Sequence, residues 1–228
     1  MAEFDAVAST YEQQHARSIR LTGEDTSFFA QYKIIETRKI VYHRNLRVHR
    51  ILDFGSGIGN SLESLRACFP DAAITCLDVS EQSLEHCRAR AVGNVDYQIY
   101  DGETLPSNLG EFDLIFTACV FHHIPETHHV SLLGQLRQNL APEGLFVLFE
   151  HNPWNPLTRH AVANCPFDEN AVLISASAMN QRLKQAGFAS PDIRFRVFFP
   201  KVLASLRRFE QFLGRVPFGG QYSIAANR

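Results

Sequence analysis

The sequence predicts an α/β fold with a parallel sheet covered by helices on both faces. Three observations predict it. Apolar strand-like runs alternate with helical patterns from about residue 50 to residue 150. One run, Ile51-Leu52-Asp53, breaks into the glycine turn Gly55-Ser56-Gly57-Ile58-Gly59 before a helical pattern resumes. Finally, successive strands end in acids or open polar turns, and carboxyl ends are where open α/β sheets bind ligands.

Taken in chain order, Phe4, Val7, Ala8 and Tyr11 repeat at helical spacing, and Phe28, Phe29, Tyr32, Ile35 and Ile40 suggest a second helix. The first strand ends at Asp53, and the glycines let a ligand lie against backbone with no Cβ in the way. Their order is G-x-G-x-G, one residue short of the dinucleotide fingerprint G-x-G-x-x-G. An acid beside the turn repels a pyrophosphate and suits a ligand carrying an ammonium or sulfonium group. The second strand is Ile74–Asp78, placing a carboxylate where such folds hold a ribose diol. Val95–Tyr100 is the third strand, followed by Asp101-Gly102, and Phe112–Ala118 is the fourth, followed by Phe121-His-His-Ile-Pro125. Beyond the fifth strand, residues 152–169 contain Pro153, Pro156 and Pro166, too many breakers for one element, and form a candidate lid. Ser175–Ala186 reads as a helix, Ile193–Phe199 as a sixth strand, Val202–Leu213 as an amphipathic helix and Tyr222–Ala226 as a last strand. In the amphipathic helix, Leu203, Leu206, Phe209 and Phe212 share a face. A membrane-surface helix would look similar, but packing against the sheet is the better reading in a chain that needs this helix to complete its fold.

At this point the chain resembles the class I S-adenosylmethionine-dependent methyltransferases. Asp-Phe-Gly-Ser-Gly-Ile-Gly is similar to their first motif, Leu-Asp-Val-Ser to the ribose-binding motif and Tyr-Asp-Gly-Glu to the adenine-side motif. Phe112–Pro125 resembles their fourth strand and its exit, and Leu136–Glu150 their following helix, turn and fifth strand. Five motifs in order are far more specific than any one. The segment Glu150-His-Asn-Pro-Trp-Asn-Pro156 and the ending Gly219-Gly-Gln-Tyr222 resemble a bacterial small-molecule branch of the family. The resemblance implies a Rossmann-like, doubly wound sheet of seven mostly parallel strands, the last antiparallel. It also implies an N-terminal helical cap over residues 1–48, a cofactor-binding core over 49–151, and a lid with sheet completion over 152–228, all within one domain.

Composition is consistent with that. The chain has 228 residues, 45% hydrophobic and 20% charged, with a net charge of −2, which gives no general attraction to nucleic acid. One basic stretch, Arg38 to Arg50, reads as a solvated face or as a docking site for a phosphorylated acceptor. The five cysteines show no C-x-x-C spacing and read as reduced thiols of a cytoplasmic protein. No secretory signal pattern and no membrane-spanning run is visible. A monomer or homodimer is expected.

The resemblance also implies site roles. S-adenosylmethionine is the expected cofactor, with Asp53, Gly55, Ser56, Gly57 and Gly59 towards its methionine part. Asp78 is expected on its ribose, Val79 on its adenine, Asp101 and Gly102 beside the adenine amino group, and the Thr117 and Ala118 carbonyls towards its ammonium group. An isolated acid after a strand is as often a cap or turn former, for Asp78 and Asp101 alike. Methyl transfer from a sulfonium mostly requires holding donor and acceptor in line. An acceptor of high pKa also needs a base. His122, just past the fourth strand, is the candidate base, since an imidazole titrates near neutrality; a loop-shaping histidine is the alternative, and His123 could face inward instead. His151 and Asn152 are expected on the acceptor side, with Tyr11, Tyr32 and Trp154 as aromatics that could close over it. Arg159 and His160 could hold an anionic group. His128 and His129 are expected to be exposed. No H-x-x-x-H or Cys/His spacing supports a metal site, so none is expected. A small-molecule acceptor fits best, the alternatives being an RNA or protein methyltransferase, a non-catalytic S-adenosylmethionine-binding module and a nicotinamide-dependent dehydrogenase.

Overall fold

The computed structural model describes residues 23–24 and 26–228. The helix expected around Phe4 to Tyr11 lies outside the described residues. Described elements begin with α1 (Thr26–His43), β1 (Arg50–Phe54), α2 (Leu62–Cys68), β2 (Ala73–Asp78), α3 (Glu81–Ala89), β3 (Val95–Ile99) and β4 (Phe112–Ala118). After a 3-10 turn at Phe121–His123 come α4 (Glu126–Gln138), β5 (Leu140–His151), α5 (Pro156–Ala163), α6 (Ala176–Gln185) and β6 (Ala189–Arg196). A 3-10 stretch (Lys201–Phe209), α7 (Glu210–Leu213) and β7 (Gln221–Asn227) complete the order.

The seven strands form one sheet in the order β3-β2-β1-β4-β5-β7-β6. Neighbours from β3 to β5 are parallel, and β7 is antiparallel to both β5 and β6. Strand order reverses between β1 and β4, so their carboxyl ends open a crevice there.

Alternation along the strands divides the core into two layers. Leu52, Phe54, Ile115, Phe146 and Leu148 face Leu132, Leu133 and Leu136 of α4 and Met179 and Leu183 of α6. Ile51, Leu114, Phe116, Leu145, Val147 and Phe149 face Ile34 of α1, Leu62 and Leu65 of α2, and Leu84 and Cys87 of α3. Strands buried on both faces explain the near-continuous apolar runs in the sequence. Three side-chain caps fix helix starts: Ser80 Oγ accepts from Ser83 N, Asn155 Oδ1 from Thr158 N, and Ser175 Oγ from Ala178 N.

Three expectations need correction. The sixth strand runs Ala189–Arg196, not to Phe199. Val197 takes a positive φ of 61°, Pro200 offers no N–H, and Glu210 Oε1 accepts from Phe198 N and Phe199 N, which turns this segment out of the sheet. The amphipathic helix is a 3-10 stretch kinked at Leu203, followed by the single turn of α7. Spacing of Leu203, Leu206, Phe209 and Phe212 by threes matches three residues per turn. Nor does this face pack on the sheet, since Leu203 is 43%, Phe209 44% and Phe212 74% exposed. Finally, His129 is buried, not exposed: it shares the inner face of α4 with Leu133 and Leu136, its Nε2 is 2.8 Å from Ile124 O, and its Nδ1 is 2.7 Å from Arg182.

No described helix is long and apolar enough to cross a membrane. The five cysteines are free thiols. Arg38, Lys39, His43, Arg44, Arg47, His49 and Arg50 are all exposed, as a solvated face requires.

Two substitutions test this packing. Phe149 is fully buried against Phe116 and Tyr32, so Phe149→Ala should lower unfolding free energy by about 3–5 kcal/mol in urea denaturation. Gly55 has φ +72°, and a Cβ there would stand 2.3 Å from Val120 Cγ2. Gly55→Ala should therefore cost about 1–3 kcal/mol by overpacking, read from the same denaturation curves.

Candidate active site

A cavity of about 450 Å³ opens at the carboxyl ends of β1, β2 and β4. Its outer wall is the first glycine turn with the ends of two strands. Asp53, Gly55, Ser56, Gly57, Asp78, Val79, Asp101, Gly102 and Ala118 all line it. Its inner wall joins Cys119, His122, His123 and His151 to Lys33 of α1 and Asp168 of the segment after α5.

The glycine turn is held from two sides. Gly55 N and Ser56 N donate to Leu77 O, at 2.8 and 3.2 Å. Gly57 N donates to Asp78 Oδ2 at 2.8 Å, and Ser80 N to Asp78 Oδ1 at 3.0 Å. Asp78 thus shapes the turn as well as facing the cavity, using two of the roughly four acceptor positions of a carboxylate. Asp53 is 3% exposed, and its Oδ2 has no hydrogen-bond partner. Burial, then the neighbouring charge of Asp78, raises its pKa to about 7. Asp101 is exposed, and hydrogen bonds from Thr104 N and Glu103 N hold its carboxyl below the usual range.

Several predicted residues stand elsewhere. Gly59 and Thr117 do not line the cavity: Gly59 backs onto Cys87, and Thr117 is fully buried with Oγ1 unpartnered. Tyr32 is directed to Gln221, to whose Oε1 its hydroxyl donates, because the helical turn puts its neighbour Lys33 towards the cavity instead. Asn152 is also corrected: it is buried, and its Nδ2 donates to Pro217 O and Gly219 O, pinning the loop before β7. Trp154 is 57% exposed, and Arg159 and His160 are exposed away from this cavity. Tyr11 lies outside the described residues.

The inner wall depends on Glu150, which the sequence displayed only as part of a motif. This carboxylate is 1% exposed, at the end of β5, and accepts from Val120 N at 3.1 Å and Phe121 N at 2.8 Å. Its Oε2 lies 2.5 Å from His122 Nδ1. His122 Nε2 stands 3.5 Å from Asp168 Oδ1, and His123 Nε2 is 3.5 Å from the same oxygen. Burial pushes the His122 pKa down, but the Glu150 charge and the two carboxylate contacts outweigh it and raise the value to about 10. Its Nδ1 is committed to Glu150, so Nε2 is the ring nitrogen turned towards Asp168. Burial and the His122 charge lower His123 to about 4. His122 lowers Glu150 to about 2 against the effect of its burial.

Beside this cluster, Cys119 sits at the end of β4 with a φ of +60°. Lys33 Nζ donates to its Sγ at 3.2 Å. Burial raises the thiol pKa, but His151 and Lys33 overcome that and bring it to about 6. Lys33 and Asp168 were missed in the sequence. Only the α1 phase could have pointed to Lys33, and nothing local marked Asp168, which lies far along the chain from the histidines.

The geometry fits a cationic, nucleoside-bearing donor: an unpartnered buried carboxylate, backbone approachable at Gly57, where a Cβ would meet nothing within 4 Å, and Asp78 beside it. Comparison with known proteins gives the same answer. Residues 51–144 match the family described as "Methyltransferase domain". A trans-aconitate 2-methyltransferase of Methylobacterium nodulans is 37% identical over 147 residues, covering 63% of this chain and 54% of that protein. A malonyl-[acyl-carrier protein] O-methyltransferase of Geobacter sulfurreducens is 25% identical over 185 residues, covering 74% and 68%. The chain therefore spans about half the length of the first of these relatives. Among solved structures, a Thermotoga maritima S-adenosylmethionine-dependent methyltransferase superposes with a TM-score of 0.69 at 17% identity, covering 99% of this chain and 98% of that one. The plantazolicin methyltransferase in complex with SAH gives 0.61 at 16% identity, covering 99% of both chains. Sheet order, glycine turn and sequence match agree: residues 51–144 resemble a methyltransferase domain, set in a sheet whose fold is that of solved methyltransferases.

Proposed function

We propose that this chain transfers the methyl group of S-adenosylmethionine to an oxygen or nitrogen of a small molecule. One observation carries the reading: a single cavity joins the glycine turn and its two carboxylates to an inner wall rich in imidazoles. When bound, the donor supplies an activated methyl group on a sulfonium. Asp53 and the Gly55–Gly59 turn hold its methionine part, and Asp78 accepts from its ribose hydroxyls. Val79 packs on the adenine, with Asp101 and Gly102 alongside. The backbone carbonyl of Ala118, which borders the cavity, faces the ammonium group.

Two segments bound the acceptor side. Phe29, Ala30 and Lys33 of α1 contribute one edge, and Asn155, Leu157, Thr158 and Ala161 of α5 another. We assign them the roles of N-terminal cap and of lid within one domain, closing over the acceptor and excluding water. A closed pocket of this volume suits a small acceptor, such as a sugar or secondary metabolite, better than a macromolecule. One relative supports this by its name, a trans-aconitate 2-methyltransferase, while the other is named for O-methylation of a malonyl group on acyl-carrier protein. The proton of a neutral acceptor leaves at the inner wall, among His122, His123 and His151.

The donor site is tested by calorimetry with S-adenosylhomocysteine. Asp78→Ala should weaken binding by about 1.5–3 kcal/mol, the range for hydrogen bonds to a charged group. Unchanged affinity in a folded variant refutes the ribose assignment. Asp53 gives a pH dependence. It is largely protonated in the free protein below about pH 7, and a bound cation favours its ionised form. Binding then releases a proton, so affinity should fall about tenfold per pH unit below that value. A flat profile between pH 5.5 and pH 8 ~ the working range either side of a titration near neutrality ~ sinks the assignment of Asp53 to the donor's cationic part.

A further inference from the structure

Three candidate donor atoms on the inner wall lie close together. His122 Nε2 and His123 Nε2 each lie 3.5 Å from Asp168 Oδ1, and the three residues offer donors all within 4.8 Å of one another. A separation of 3.5 Å is long for an N–H···O hydrogen bond, which runs about 2.7–3.2 Å. It is close to the spacing of two ligands on one tetrahedral ion, ~3.3–3.4 Å for metal–ligand bonds of about 2.0–2.1 Å.

The His122 ring is also oriented as a ligand histidine is. Its Nδ1 is held 2.5 Å from Glu150 Oε2, which turns Nε2 towards Asp168. Metal-bound imidazoles almost always keep their other ring nitrogen on a carboxylate or carbonyl. Both His122 and Glu150 have side chains 1% exposed, so this support is rigid and dry. His123 and Asp168, at 19% and 12%, border the cavity and leave a route for an ion to enter. Asp168 in direct reach and Glu150 behind His122 bring two negative charges to balance a dication. Mixed imidazole and carboxylate donors suit zinc and its first-row neighbours, whereas magnesium and calcium take oxygen ligands.

We infer that His122, His123 and Asp168 bind one divalent transition-metal ion, zinc being the best match, with a fourth position open to the cavity. The binding site stands on this geometry alone. Its use rests on the methyl-transfer reading: an acceptor hydroxyl or carboxylate oxygen in the fourth position would be oriented, and a hydroxyl's pKa lowered.

The test uses tag-free protein treated with chelator, dialysed, and titrated with zinc by calorimetry and with cobalt(II) by visible absorption. One equivalent of zinc per chain is expected, with cobalt bands of a four- or five-coordinate site. His123→Ala and Asp168→Asn should each weaken zinc binding by about 100-fold or more, and Glu150→Gln by about 10–100-fold. Circular dichroism and retained S-adenosylhomocysteine binding establish that the His123→Ala protein is folded. Failure of the unaltered chain to take up stoichiometric zinc overturns the site, as does uptake that survives both ligand substitutions. Zinc uptake without any S-adenosylhomocysteine binding supports the site and counts against the methyl-transfer reading instead.

Discussion

The buried carboxylate of Glu150 organises the inner wall of the cavity. It ends the long central strand β5 at a place where water cannot solvate it, and an isolated charge there would cost several kcal/mol. Two backbone N–H groups, from Val120 and Phe121, and the His122 ring supply what water would have supplied. Those bonds fix the exit of β4 and force its 3-10 turn. They also set the plane of His122, and through His122 the wall extends to Asp168 on a segment that follows α5. Central strand, adjacent turn and covering segment therefore meet at one charge.

The wall around the glycine turn follows a different logic. Burial first, and then the charge of Asp78 on the neighbouring strand, raises the pKa of Asp53 to about 7. Asp78 is stabilised by the N–H groups of Gly57 and Ser80, whereas Asp53 Oδ2 has no such support. A cation placed against this pair relieves the strain that folding builds in. The two halves are thus complementary in design: one has its charge neutralised within the protein, and the other leaves a charge for the ligand to neutralise.

Local rules read the donor half well because it is built from consecutive residues. A strand end, a glycine turn and a helix start lie within a dozen positions, and parallel pairing then sets β1, β2 and β4 side by side with their acids on one edge. Where the periodicity was ambiguous, reading by propensity failed. The run from Val202 to Phe212 has an apolar face, but its spacing by threes belongs to a 3-10 stretch, and Leu203, Phe209 and Phe212 stay exposed. His129 looked like a polar residue at a helix start, yet its phase in α4 carries it inward beside Leu133 and Leu136.

By itself the sequence determined the order of the strands, the doubly wound sheet, the glycine turn and the two acids, Asp53 and Asp78, on neighbouring strands. These follow from hydrophobic period and from residues that are near neighbours in the chain. Tertiary structure alone decided the inner wall: Lys33 beside Cys119, Asn152 turned away to the loop before β7, and Asp168 brought against His122 and His123. Each of those contacts joins segments whose separation in sequence carries no period or motif. Their meeting depends on how α1 and the segment after α5 pack over the finished sheet, and packing of that kind is fixed by shape and charge in three dimensions.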